Sequence, residues 1–152
     1  MLFQANVFVS NDGSPVLADF GNSLYKDQAM KFTETAAELL DGSGVHSEAS
    51  DVYALAMTIC EVLAGVLPYE GKLTFAIMNL VVNKRQPPER PQAIAAGRED
   101  GDKLWNLLLR CWSFEPKARP SASKVADIIK TVTPGGLSPV NTCELPNLPN
   151  IL

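Results

Sequence analysis

The chain has 152 residues, of which 46% are hydrophobic and 20% charged, with 11 prolines and a net charge of −4. That length permits one domain, and the composition is that of a globular chain and not a disordered one. An acid excess with no concentrated basic patch lacks the electrostatic footprint of a nucleic-acid binder, so no nucleic-acid partner is expected.

In chain order, the first signal is a hairpin. Val7, Phe8 and Val9 form a β-prone run, Asn11-Asp12-Gly13 a turn, and Val16-Leu17-Ala18 a second run. Gly21 closes that strand, and residues 22–35 are polar and read as a loop. Ala36 to Leu40 predicts one or two helical turns, ended by Asp41-Gly42-Ser43-Gly44. Ser50 is the expected N-cap of a helix from Asp51 to Ala64, with Gly65 as its C-cap. Val52, Tyr53, Leu55, Met57, Ile59, Val62 and Leu63 do not fit one stripe, so this helix belongs inside the domain. It is shorter than the roughly 20 residues that span a bilayer and it contains Glu61, so no membrane role is expected.

Pro68-Tyr69-Glu70-Gly71 reads as a turn and Leu73 to Lys84 as a second helix, broken by the proline-rich run 86–91. Leu104, Leu107, Leu108 and Cys111 stand at helical spacing in a third helix, Leu104 to Trp112. Ser121 caps a fourth, which carries Val125, Ile128 and Ile129. Residues 132–152 are rich in Pro, Gly and Asn and are expected to form a disordered tail. The expected fold is mainly α within the α+β class: one β-hairpin followed by a helical bundle.

Cys60, Cys111 and Cys143 are scattered and odd in number, the pattern of reduced thiols in a cytoplasmic protein. His46 is the only histidine and reads as a surface loop residue, which leaves a His-based metal site or triad little to work with. Met1-Leu2-Phe3-Gln4 has neither the charge nor the apolar stretch of a signal peptide.

Asp19-Phe20-Gly21 follows a strand and opens a polar loop. Asn6 precedes the hairpin, Glu38 follows the loop, Asp51 opens the buried helix, and Arg119-Pro120 comes late. Taken singly these are ordinary residues: Asn6 a strand-leading turn residue, Asp19 a turn carboxylate, Glu38 and Arg119 two surface charges. As an ordered set they resemble the C-terminal-lobe portion of a eukaryotic protein kinase domain over about residues 1–131. The stretch from Ser50 to Met57 resembles the start of that family's central buried helix. Cys111-Trp112, Pro116 and Arg119-Pro120 resemble the ending found in the tyrosine-kinase and tyrosine-kinase-like group.

The resemblance implies roles. Asp19 would hold one Mg2+ and Asn6 a second through its amide oxygen, side by side at the base of the hairpin; magnesium needs hard oxygen ligands to bridge the phosphates of ATP. Phe20 and Gly21 complete the motif as structural residues. Residues 22–35 match the activation segment, where Ser23, Tyr25, Thr33 and Thr35 are hydroxyls available to phosphate. Ala36-Ala37-Glu38 stands where the family has Ala-Pro-Glu, which puts the peptide platform in doubt. Glu38 would pair with Arg119 as scaffold, in a bidentate geometry that suits Arg and not Lys. Asp51 would accept hydrogen bonds from the catalytic-loop backbone, and with most of that loop lacking it is expected to be a buried carboxylate short of donors.

The chain also departs from the family. Counting back from Asn6 puts Met1 at the position of the catalytic base, so no catalytic residue is assigned. Gly13, Gly42-Ser43-Gly44 and Gly135-Gly136 are isolated turn glycines, and no phosphate loop or strand lysine is found. ATP and Mg2+ are thus implied by the family but not expected to be bound by this chain alone. The expectation is a truncated protein-kinase-family chain that meets a protein substrate or partner and is inactive by itself, with upstream genomic DNA encoding the rest. The alternatives are a degenerate lobe, a pseudokinase acting as a non-catalytic protein-interaction module, and a fragment without function of its own.

Overall fold

The computed structural model describes residues 7–17, 35–42, 44–133, 135 and 137. Short β-prone runs on either side of a polar turn make the first element. Strand β1 (Val7–Val9) pairs antiparallel with β2 (Pro15–Leu17) in the register Val7↔Leu17, Phe8↔Val16 and Val9↔Pro15. The Ser10 N–H donates to the Ser14 carbonyl at 2.9 Å, and the Gly13 N–H to the Ser10 carbonyl at 2.9 Å. The Asp12 carboxylate accepts from the Ser10 hydroxyl and, at 3.1 Å, from the Ser14 N–H. These bonds, the Ser10 hydroxyl first, hold the Asp12 carboxyl below its ordinary range. Ala18, expected in the second strand, lies outside the described residues.

Helix α1 (Ala37–Leu40) is a single turn. The chain returns from it through Gly44, whose N–H donates to the Glu38 carbonyl at 2.8 Å. A Cβ at Gly44 would sit 2.8 Å from the Glu38 Cγ, so the crossing needs glycine.

Helix α2 (Glu48–Ala64) begins three residues before the expected Asp51. Its N-cap is Ser47 and not Ser50. The Ser47 side chain accepts from the Ser50 N–H at 3.2 Å, and the Ser50 side chain accepts from the Ser47 N–H at 2.8 Å. This is a reciprocal capping box, with serine in the place glutamate or glutamine commonly takes. Gly65 ends α2 at φ 72°. Val52, Tyr53, Ala56, Met57 and Cys60 are buried, and Met57 is fully so.

The expected second helix is divided. Helix α3 (Thr74–Met78) passes into a π-helical turn, Asn79–Asn83. Ile77 faces the core while Phe75 is exposed, because residues two apart on a helix point to nearly opposite sides; Val81 is also buried, and Leu73, exposed, is the N-cap before the helix. Helix α4 (Glu99–Cys111) starts five residues before the expected Leu104, and its acidic first turn of Glu99, Asp100 and Asp102 suits the positive end of the helix dipole. Its stripe Leu104, Leu107, Leu108 and Cys111 packs on α2. A short 3₁₀ turn, Pro116–Ala118, leads to α5 (Ala122–Ile129), where the Ser121 side chain accepts from the Lys124 N–H at 3.3 Å.

The core is therefore one cluster shared by α1, α2, α3, the π-helical turn, α4, α5 and the loops between them, with Trp105 and Trp112 edge to face at 5.6 Å between centroids. The fold is mainly helical with one hairpin. The first residues of the expected tail are held against it: Val132 and Leu137 pack on the core, and the Thr133 N–H donates to Asp100 at 3.1 Å. Residues 138–152 lie outside the described residues. Among the described residues no helix is long and apolar enough to cross a membrane.

Candidate functional site

The best-defined polar centre joins two residues 81 positions apart in the chain, Glu38 and Arg119. Arg119 sits just past the 3₁₀ turn, with its side chain wholly buried. Its Nη1 donates to Glu38 Oε1 at 2.8 Å and its Nη2 to Glu38 Oε2 at 2.7 Å, a parallel two-bond fork. The remaining N–H groups reach backbone carbonyls: Nε to Ser113 at 2.9 Å, Nη1 to Ala49 at 3.0 Å, and Nη2 to Phe114 at 3.4 Å. A guanidinium has five N–H donors, and here each has an acceptor. The Tyr53 ring lies 5.1 Å from the guanidinium carbon and adds a cation–π contact. Burial drives the Tyr53 hydroxyl well above the ordinary phenol range, with Arg119 opposing.

This centre ties the foot of α1 to the start of α2 and to the entry of α5. Thr35, Ala36 and Ala37 are buried beside it. Residues 35–37 are thus held to the core at the start of α1. Residues 22–34, with Ser23, Tyr25 and Thr33, lie outside the described residues.

Asn6, Asp19, Phe20 and Gly21 also lie outside the described residues. What is described is the hairpin between them: Val7 pairs with Leu17, so both flanks leave the same end of the ladder. Among the described residues no group of three His, Cys, Asp or Glu side chains is suited to a metal ion. Asp51, expected to be a buried carboxylate, is instead exposed in the first turn of α2. Its position near a helix N-terminus favours negative charge without burial.

Two buried groups escaped the sequence reading. Glu61, taken only as a charge that argues against a membrane span, is 6% exposed, and its Oε2 has no hydrogen-bond partner among the described residues. The Trp112 Nε1 is likewise buried without one among them. Burial, with the Glu61 charge adding to it, pushes the Cys60 thiol up to about 11. Burial likewise pushes the Cys111 thiol up to about 11.

A groove of about 870 Å³ runs between the end of α2, the turn at Pro68–Lys72 and the proline-rich segment 86–93. Tyr69 is fixed in it at φ 61° by a 2.7 Å bond from its hydroxyl to the Gln86 carbonyl. It includes none of the residues that the kinase resemblance marks.

Comparison with known proteins decides the family. The family model described as protein tyrosine and serine/threonine kinase matches residues 2–129. The chain belongs to the protein kinase family. It is 31% identical over 135 residues to a probable LIM domain-containing serine/threonine-protein kinase of Dictyostelium discoideum, covering 84% of this chain and 20% of that protein. It is 33% identical over 136 residues to receptor-interacting serine/threonine-protein kinase 3 of Rattus norvegicus, covering 77% of this chain and 27% of that protein. It is 29% identical over 103 residues to the proto-oncogene tyrosine-protein kinase ROS of Rattus norvegicus, covering 66% of this chain and 4% of that protein. The chain thus spans about a quarter or less of the length of these relatives. In this kinase-family chain the Glu38–Arg119 centre joins α1 to the start of α2 and to the turn before α5.

Proposed function

We propose that the chain is the magnesium- and substrate-side portion of a protein phosphotransferase domain, and that these 152 residues transfer no phosphoryl group by themselves. The observation that supports this reading most is the fully satisfied Glu38–Arg119 centre, the pairing that the kinase resemblance implies, which fixes α1 to the core. Asn6 and Asp19 offer an amide oxygen and a carboxylate, hard donors that fit Mg2+, and their flanking strands pair in register. When bound, the ion would neutralise charge on the ATP phosphates. The sequence holds no G-x-G-x-x-G and no strand lysine to grip ATP, so nucleotide binding requires a lobe from additional sequence. A cytoplasmic setting is the reading that the free, buried thiols of Cys60 and Cys111 support.

The test compares the 152-residue chain with the product of the longest native transcript. The longer product is expected to bind ATP with Mg2+ and to phosphorylate protein, with Asp19→Ala abolishing transfer. If the longer product binds no nucleotide, the second reading stands: a kinase-like lobe that works as a protein-interaction module. Its specific support is Ala37 in place of the family's proline and the exposed Leu73 and Phe75, at 80% and 82%.

A further inference from the structure

Past the end of α5, Thr133 and Gly135 are fastened to the start of α4 at few points. The Thr133 N–H and the Thr133 hydroxyl both donate to Asp100 Oδ2, the N–H at 3.1 Å and the hydroxyl at 2.5 Å. Lys103 Nζ approaches the other carboxylate oxygen at 3.4 Å. Arg98 Nη2 donates to the Gly135 carbonyl at 2.6 Å. Between and beyond these contacts, Val132 and Leu137 lie on the core. Thr133 is itself exposed, and Pro134 follows it. A residue before proline is biased to extended backbone, the shape a modifying enzyme's cleft accepts.

We propose that Thr133 is a phosphorylation-sensitive latch, and that a phosphoryl group on its hydroxyl releases the strap carrying Thr133 and Gly135 from α4. The donor is a nucleoside triphosphate used by a kinase acting on this chain in trans. The Thr133 O–H bond breaks and an O–P bond forms; the proton passes to that enzyme's base, and the nucleoside diphosphate leaves. The modified side chain has no O–H to give Asp100, and it places about −1.5 to −2 charge against that carboxylate. Glu99 and Asp102 stand in the same helical turn, and Asp102 is paired with Arg90 at 2.7 Å. The cations nearby are Arg90, Arg98 and Lys103, equal in number to these acids, but Arg90 is taken up by Asp102 and Arg98 donates to the Gly135 carbonyl, so the phosphoryl group meets first the Asp100 oxygen to which the hydroxyl donated, and repulsion acts there. Thr131 serves as the contrast: its hydroxyl donates to the Ile128 carbonyl at 2.7 Å, at the end of its own helix, and fastens nothing to α4. The hydrogen bonds from Thr133 also hold the Asp100 carboxyl below its ordinary range, as expected of a carboxylate that the latch stabilises in its charged form. The latch is independent of whether this chain transfers phosphate.

The experiment is hydrogen exchange on the full chain carrying phosphothreonine at 133, prepared by genetic encoding, beside the unmodified chain. The amides of Val132, Thr133, Gly135 and Leu137 are expected to exchange about tenfold faster or more, the change that losing a hydrogen bond to a charged group brings. Trypsin cleavage after Lys130 should accelerate in parallel, with α2 amides unchanged. Phosphothreonine at 131 should leave the strap protected. Adding Asp100→Lys to the chain with phosphothreonine at 133 should restore protection, because the opposing charge has become an attractive one. Unchanged or increased protection on phosphorylation at 133, the result if Arg98 captures the phosphate, overturns the proposal.

Discussion

Arg119 is a residue whose whole hydrogen-bonding capacity is used inside the protein, and that sets what its loss costs. Arg119→Ala would leave Glu38, whose side chain is only 11% exposed, without its partner. Breaking a buried pair in this way costs about 3–5 kcal/mol, much of a domain's total stability. Urea unfolding should show the midpoint fall steeply, and Arg119→Lys should recover only part of the loss because an ammonium cannot form the fork. An unchanged midpoint for Arg119→Ala would mean the pair contributes nothing. The buried thiols give a second expectation. Cys60 and Cys111 are held above the ordinary thiol value, so the folded chain keeps its protons at a pH where the unfolded chain loses them. The stability they contribute is therefore present below the unfolded thiol value and is lost as pH rises towards about 11. Iodoacetamide at neutral pH should label both only as fast as the chain opens; rapid labelling of the native chain would contradict their burial.

At the scale of elements, the cap of α2 shows what local sequence does and does not reveal. Ser47 and Ser50 are both good N-cap residues, and periodicity alone chose the one next to the apolar run. The reciprocal bonds between them start the helix at Glu48 instead. Ser47→Ala is expected to cost about 1 kcal/mol in thermal unfolding, while Ser50→Ala should cost less, since it leaves the accepting cap intact. Equal costs would place the cap at Ser50 after all. Helix α1 carries the departure from the family pattern. Ala36 has ψ 150°, which the residue before a proline tolerates, and Ala37 is the first helical position, where proline fits. Ala37→Pro is therefore expected to raise stability by about 0.4–1 kcal/mol through the unfolded chain; a lower melting temperature would show that the buried site has closed around alanine. The π-helical turn after Met78 was not legible, because an apolar run has the same appearance whether its hydrogen bonds span four residues or five. The early start of α4 was missed for another reason. Its first turn is acidic and exposed, and the apolar stripe that marks the rest begins only at Leu104.

For the whole molecule, the hairpin, the buried helix and the stripe on α4 could be read from the chain because each has a strong period or turn signal. The meeting of Glu38 and Arg119 could not be read from any local pattern. The two are 81 positions apart, and only the ordered resemblance to a kinase domain suggested the contact that the structure contains. The resemblance also suggested a buried Asp51, which the described structure does not have. Glu61 went unread because one acid in an apolar helix says nothing about which way it points. The family match over residues 2–129 shows what the chain belongs to; what these residues can do without an ATP-gripping lobe is a matter of chemistry. Phosphoryl transfer is mostly positioning and charge neutralisation, and metal ligands with no phosphate cradle leave the nucleotide unheld. The most direct test is transfer of labelled γ-phosphate from ATP by the purified 152-residue chain, with Mg2+ and a general protein substrate. The expected result is no incorporation above that of heat-denatured chain; magnesium-dependent incorporation that Asp19→Ala abolishes would contradict the account.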